Sequence, residues 1–201
     1  MFSKSMANAV DNVQKRLMLT TNKDSVLMVI SNDLAELNKL VTSLDPSNID
    51  FDKGGLNKFK VKSYWEKFND KYATLKSLLD KLSKSKKILY NSKTSINNLY
   101  KEFKEEYDKF IVEEDRDAEY MQQAIVVDNT NELLLNTVNE HENMYNYLDS
   151  VIKILESSLN IAIYLAAKNT GKQTNNFAES MSTIDYQSKF NQLKDILKWG
   201  I

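Results

Sequence analysis

The chain has 201 residues, a formal net charge of −1, four glycines, one proline and no cysteine. That length is enough to bury a core without covalent staples, and the lack of cysteine excludes disulfides, thiolate nucleophiles and the usual structural zinc sites. With Pro46 the only proline, little interrupts regular backbone, so the expected class is all-α.

The opening segment, Met1 to Arg16, alternates polar and apolar residues and lacks the continuous apolar core of a signal peptide. Export is therefore not expected, and a cytoplasmic setting is. A short helix is expected over about Lys4 to Leu19. Over Val26 to Leu44 the residues Leu27, Ile30, Leu34, Leu37, Val41 and Leu44 recur at steps of three and four, which is one apolar helix face. Asp24 and Ser25 offer capping oxygens at its start, and Asp45-Pro46 ends it, because proline has no N–H and disfavours helix in the residue before it.

Ser47 to Gly55 reads as a loop closed by Gly54-Gly55. Beyond it Phe68, Leu75, Leu82, Leu89, Ile96, Phe103 and Phe110 recur every seven residues, with Tyr72, Leu79, Tyr100 and Tyr107 four residues after four of them. This heptad seam predicts a helix of about 50 residues or more that pairs with a partner helix. Lys86 and Lys93 interrupt the seam, either fixing register or marking a solvated stretch. Apolar residues thin out at Asp128-Asn129-Thr130-Asn131, which allows a turn, a kink or a capped restart with Glu132 in the first turn; a restart is expected. From there Leu134, Val138, His141, Tyr145, Leu148, Ile152, Leu155, Leu159, Ala162 and Ala166 mark a second long helix.

Two long helices bury their seams most simply by folding back on each other, which predicts a long antiparallel coiled-coil-like bundle over residues 1–170. A polar linker, 171–183, leads to an amphipathic helix, 184–201. Its apolar residues Tyr186, Phe190, Leu193, Leu197 and Trp199 suit either a docking cap or a partner-binding helix. The most apolar stretch, Leu159 to Ala167, is roughly a third of the length needed to span a membrane, and reads as packing.

His141, the single histidine, falls on the apolar seam. It can be a buried pH-sensitive switch, a lone metal ligand or a satisfied core histidine; no second His or Cys stands at ligand spacing, which favours the last. The acidic run Glu113, Glu114, Asp115, Asp117 and Glu119 lacks the glycine and oxygen spacing of a calcium loop and reads as a solvated helix end. No phosphate loop, nucleophile elbow or catalytic carboxylate pair is present, so neither catalysis nor a metal or cofactor is expected.

Charge is unevenly spread. Lys53 through Lys93 carries twelve lysines against Glu66, Asp70 and Asp80, a balance of +9, while Glu102 to Glu119 has nine acids against Lys104, Lys109 and Arg116, a balance of −6. Lys58, Lys60, Lys62, Lys81, Lys84, Lys86 and Lys87 form a candidate basic interaction face toward anionic lipid or an acidic partner, with a plain solvated face or pairing with the chain's own acids as the alternative. Nucleic acid is a poor fit, since the segment has no arginine and its aromatics follow helix packing.

The segments "LVTSLDPSNIDFDKGGLNKF" and "KYATLKSLLDKLSKSKKILYNSKTSINNLYKEFKEEYDKFI" resemble the N-terminal region of TelA-like toxic anion (tellurite) resistance proteins, with Asp50-Phe51-Asp52, Lys53-Gly54 and Lys71-Tyr72 in comparable places. "AIVVDNTNELLLNTV" is similar to a segment from their C-terminal half. Together the matches cover roughly half the chain, in a divergent and shortened form that would suit a phage-borne relative. The resemblance implies a cytoplasmic helical stress-associated factor and carries over no catalytic residue. The expected function is thus a non-enzymatic interaction protein, acting on a protein or anionic surface through its basic face and terminal helix. A self-assembling structural subunit, as in a phage virion, is the alternative, and a pore-forming helical toxin the weaker one.

Overall fold

The computed structural model describes residues 4–20, 25–112, 118–169 and 182–200. Within them the chain is all-α, with no strand. The helices are α1 (Lys4–Thr20), α2 (Val26–Ser43), α3 (Asn57–Ile111), α4 (Ala118–Asn169) and α5 (Thr183–Trp199). Contacts divide the chain into two compact units. Unit 1 comprises Met1–Val29 and Ser85–Asn146, and unit 2 comprises Ile30–Lys84 and Tyr147–Ile201. The contacts thus group α5 with the bundle helices of unit 2, a division that differs from the one expected at residue 170. Residues 170–181, most of the expected linker, lie outside the described residues, as do Glu113, Glu114, Asp115 and Asp117 of the acidic run.

Helix α3 follows the seven-residue pattern throughout. Phe68, Leu75, Leu82, Leu89, Ile96, Phe103 and Phe110 are all buried. With these residues labelled d, the a positions are Trp65, Tyr72, Leu79, Lys86, Lys93, Tyr100 and Tyr107. A third stripe, at g, is also buried through Tyr64, Leu78, Ser85 and Leu99. Two facing helices need only a and d; the g stripe requires a third element, and each unit supplies its own.

In unit 1 that element is α1. Met6, Val10, Val13 and Leu17 recur at steps of four and three and pack in one cluster with Ile96, Leu99, Phe103 and Phe110 of α3 and Tyr120, Val127 and Leu134 of α4. Phe110 stacks on Tyr120 at 4.7 Å, Tyr107 donates to Asp128 at 3.0 Å, and Lys93 pairs with Glu142 at 2.8 Å. As numbers fall along α3 they rise along α4, so the two run antiparallel here. The lysines at a are accommodated by α4: Lys93 and Lys86 lie 4.8 and 5.3 Å from the ring centre of Tyr145, within cation–π range. Lys93 therefore keeps both a counter-charge and an aromatic face, which fits the register-fixing alternative.

In unit 2 the third element is α2, with α5 beside it. Ile30, Leu34, Leu37 and Val41 of α2 are buried, as is Leu44 just beyond it, and Ser25 Oγ accepts the Met28 N–H at 3.4 Å at the helix start. Phe68 and Leu75 of α3 close around Leu155, Leu159 and Ala162 of α4 and Tyr186, Phe190 and Leu193 of α5. In the apolar stretch of α4, Leu159, Ile161, Ala162, Leu165 and Ala166 are buried. By length and composition α4 contains a stretch apolar enough to cross a membrane, and half of that stretch is buried inside the protein.

One expectation is corrected. The chain does not turn at Asp128-Asn131: α4 runs unbroken from Ala118 to Asn169. Asp128 and Asn129 face solvent, and the buried Thr130 gives its hydroxyl to the Val126 carbonyl at 2.7 Å, so these three side chains suit a continuous helix, while Asn131 keeps its Oδ1 buried without a hydrogen-bond partner among the described residues. The break between the long helices falls instead between Ile111 and Ala118.

Replacing the fully buried Leu82 by alanine is expected to cost about 2–5 kcal/mol, against at most about 0.5 kcal/mol for Ile88→Ala on the exposed face. Urea unfolding followed by helical circular dichroism measures both; equal costs would contradict the seam.

Candidate interaction surface

The seven lysines of the expected basic face do not share a face. In the heptad they fall at a, c, e, c, f, a and b for Lys58, Lys60, Lys62, Lys81, Lys84, Lys86 and Lys87. Lys62 and Lys81 are separated by about 28 Å of helical rise. Lys86 is half-buried against Tyr145, and Lys81 acts electrostatically on Asp33, whose pKa burial raises and Lys81 partly lowers. Lys86 and Lys87 belong to unit 1, the others to unit 2.

What the fold does bring together is the start of α3. Asn57 gives its amide to the carbonyls of Asp50 and of Lys53, the latter at 3.1 Å, and Gly55 takes φ +71°, a conformation open to glycine at little cost. This holds the Lys53-Gly-Gly-Leu-Asn-Lys-Phe-Lys-Val-Lys62 stretch against the bundle. A groove of about 410 Å³ is lined by Lys53, Lys58 and Lys62 together with Phe51, Asp52 and Asn169. A second, of about 480 Å³, is lined by Lys60 and Lys67 with Ser43, Asp45, Ile49 and Phe59. Leu56 is 84% and Phe59 72% exposed. From Lys53 to Lys62 there are four lysines and no acid, and the positive end of the α3 dipole adds to that field. The lysine count pointed to this region, but the exposure of Leu56 and Phe59 is visible only in the structure.

Comparison with protein-family models, curated proteins and solved structures finds no match to the chain. The surface therefore stands on its geometry.

The terminal helix is occupied within its own unit. Ser182 caps α5 and forms a reciprocal box with Asp185. Tyr186, Phe190, Leu193 and Leu197 are buried, which is the docking-cap arrangement and leaves no exposed apolar stripe among these four; the side chain of Trp199 lies outside the described residues. Phe51 of the loop reaches Tyr64, Trp65 and Tyr186 at ring separations of 5.5, 5.6 and 6.2 Å. Tyr64 donates its hydroxyl to the Leu44 carbonyl at 2.8 Å. A carbonyl only accepts, so the hydrogen bond between Tyr64 and Tyr186 has Tyr186 as donor. Burial pushes both phenols above the ordinary tyrosine range, keeping the relay neutral. At its edge Lys194 pairs with Asp45 at 2.8 Å, and Tyr147 donates to the Ile196 carbonyl at 3.1 Å.

His141 is buried on the seam, its Nδ1 within 2.8 Å of the Thr137 carbonyl. Among the described residues no group of three or more His, Asp or Glu side chains is placed to hold a metal ion.

Two predictions follow from the anchoring of α5. Tyr64→Phe strands the Leu44 carbonyl and the Tyr186 hydroxyl in the interior and is expected to cost about 1–3 kcal/mol, whereas Tyr186→Phe removes only the terminal donor and should cost about 1 kcal/mol or less. Equal losses in denaturant titrations would refute the donor order. The Asp45 carboxyl is pushed up by burial but held below its ordinary value by the hydrogen bonds from Lys194 and Ser47. A lowered folded pKa gives stability that is present above the unfolded value and lost as pH falls through the folded one. Asp45→Asn should therefore flatten the loss of stability below about pH 4, read as thermal midpoint against pH; an unchanged slope would exclude this pair as its source.

Proposed function

We propose that the protein is a non-enzymatic helical interaction protein that docks on an anionic lipid surface through the start of α3. The observation that carries this reading is the pair Leu56 and Phe59, exposed within an acid-free stretch of four lysines. At a bilayer Leu56 and Phe59 enter the headgroup boundary while the lysines around them meet anionic lipid. Each lysine near such a surface contributes roughly 1 kcal/mol at physiological salt, so the four together with two apolar side chains suffice for reversible attachment without a spanning helix. The terminal helix serves by closing unit 2 behind this surface. The likeness to TelA-like proteins supports a cytoplasmic, stress-associated setting for the attachment, whether on a bacterial or a phage-encoded chain.

A second reading, self-association into a structural assembly, draws on unit 1. There Val112, Met121 and Ile125 are exposed beside the acidic Glu119, and a second copy is the occupant that reading requires. Light scattering over about a hundredfold concentration range separates the two: a constant small mass supports the lipid reading, and a growing one the assembly.

The direct test is co-sedimentation with vesicles containing about one third anionic lipid. Binding is expected at low ionic strength and should fall as salt rises. Leu56→Ser with Phe59→Ser should weaken it by about tenfold or more, and Lys53, Lys58, Lys60 and Lys62 all changed to Gln should abolish the preference for anionic over neutral vesicles. Absence of binding at low salt would dismiss the proposal.

A further inference from the structure

Helix α5 carries its own cap, Ser182 with Asp185, and the hydrogen bonds that tie it to the rest of unit 2 run through side chains. They join Thr183 to Asp52, Tyr186 to Tyr64, Gln187 to the Ile49 carbonyl, Lys194 to Asp45 and Tyr147 to the Ile196 carbonyl. Its helical backbone bonds therefore survive separation. Tyr186, Phe190, Leu193 and Leu197 fall within about 60° of one another around the helix, with Lys189 and Lys194 flanking them on either side. That is the pattern of a helix lying in a bilayer interface, where lysine stems cover apolar surface and their ammonium groups reach the headgroups.

The surface under α5 is incompletely satisfied. Trp65, 0% exposed, packs on Tyr186 at a ring separation of 5.3 Å, and Ser158, 3% exposed, meets Tyr186, Phe190 and Leu193 around a gap of about 20 Å³. The Trp65 Nε1 and the Ser158 Oγ are both buried without a hydrogen-bond partner among the described residues. A buried water is held by two to four polar partners, and beside Ser158 the gap is lined by apolar side chains and by Tyr186, whose hydroxyl is committed to Tyr64. Both groups regain hydration when α5 leaves, so the closed state alone carries the cost of burying them unpaired. Asp52, the partner of Thr183 at the start of α5, lines the same groove as Lys53, Lys58 and Lys62, which sets α5 beside the lipid-docking surface.

We infer that α5 is a releasable interfacial helix: on an anionic bilayer it separates from unit 2 intact and lays Tyr186, Phe190, Leu193 and Leu197 into the headgroup boundary, beside the start of α3. The inference rests on the lipid reading above and adds a second, apolar attachment to it. In water the apolar stripe holds α5 closed. A bilayer offers that stripe another apolar medium, and the face it uncovers, with Leu155, Leu159 and Ala162, meets the same boundary. Lipid thus binds the open form better than the closed one and shifts the population toward it.

The chain has no cysteine, so two introduced thiols can be joined without side reactions. Lys194 Nζ lies 3.4 Å from Ser47 Oγ; Ser47→Cys with Lys194→Cys, bridged by a short bismaleimide, holds α5 shut, and the same variant capped with N-ethylmaleimide leaves it free. Both forms are sedimented with vesicles containing about one third anionic lipid, at low salt and at high salt, where attraction of the lysines is screened and apolar attachment remains. At high salt the capped protein should stay bound and the bridged one should bind at least about tenfold more weakly. At low salt the bridged protein should still bind through the start of α3. Ser158→Ala in the otherwise unaltered chain removes one unpaired group from the closed state and should reduce high-salt binding by about fivefold. Equal high-salt binding of the bridged and capped forms, no high-salt binding by either, or undiminished binding of Ser158→Ala would each overturn the inference and leave the α3 surface standing. Absence of binding by the unaltered chain at low salt would overturn both.

Discussion

The rest of this protein depends on the third buried stripe of α3. A helix with only a and d positions apolar is content with one partner, and α4 would suffice. Tyr64, Leu78 and Leu99 at g leave α3 with more apolar surface than one antiparallel helix covers. At about 25 cal/mol per Å² that surface decides where the short helices go. In unit 1 it takes α1, whose Met6, Val10, Val13 and Leu17 form a complete stripe. In unit 2 it takes α2, and α5 adds Tyr186, Phe190, Leu193 and Leu197. The short helices are thus structural partners of the long ones rather than appendages.

Apolar burial by itself does not fix where α5 sits along α3 and α4; polar atoms do. The Tyr186 hydroxyl reaches Tyr64, which reaches the last carbonyl region of α2 at Leu44, so three segments meet at one chain of hydrogen bonds. Around it Phe51, Trp65 and Phe190 close off water, and Lys194 with Asp45 marks the boundary. A shift of α5 by one turn would leave several of these groups buried and unpaired, a larger loss than the apolar contacts could offset. The same loop ends in the Lys53–Lys62 stretch, so the anchoring that fixes α5 also presents Leu56 and Phe59 outward.

The seven-residue spacing of α3 and the three-four steps of α2 were legible in the sequence because burial on a helix is periodic, and periodicity survives in a single chain. The helix restart expected at Asp128-Asn131 was misplaced because a polar cluster on a continuous helix resembles a loop when read linearly. Val127 and Leu134, seven apart and both buried, carried the contrary signal. The lysine count located the start of α3 without its angular detail, because counting along the chain ignores heptad position: Lys60 and Lys62 fall at c and e, on nearly opposite sides of the helix. The apolar pattern of α5 was visible, but no pattern says whether such a stripe is covered by its own chain. That Trp65 Nε1 and Ser158 Oγ lack partners was beyond reach, since it depends on how α3, α4 and α5 meet.

The two units are closed at different times in the life of the chain. All residues of unit 1 have been polymerised once synthesis reaches Asn146, whereas unit 2 draws on residues up to the end of α5. Asp45 must wait for Lys194, 149 positions later, and a contact of such separation forms late because loop closure opposes it. During translation, at about 5–20 residues per second, the apolar faces of α2 and the first half of α3 stay uncovered for several seconds. That interval, rather than the finished structure, is when this chain is most exposed to aggregation and most in need of a chaperone.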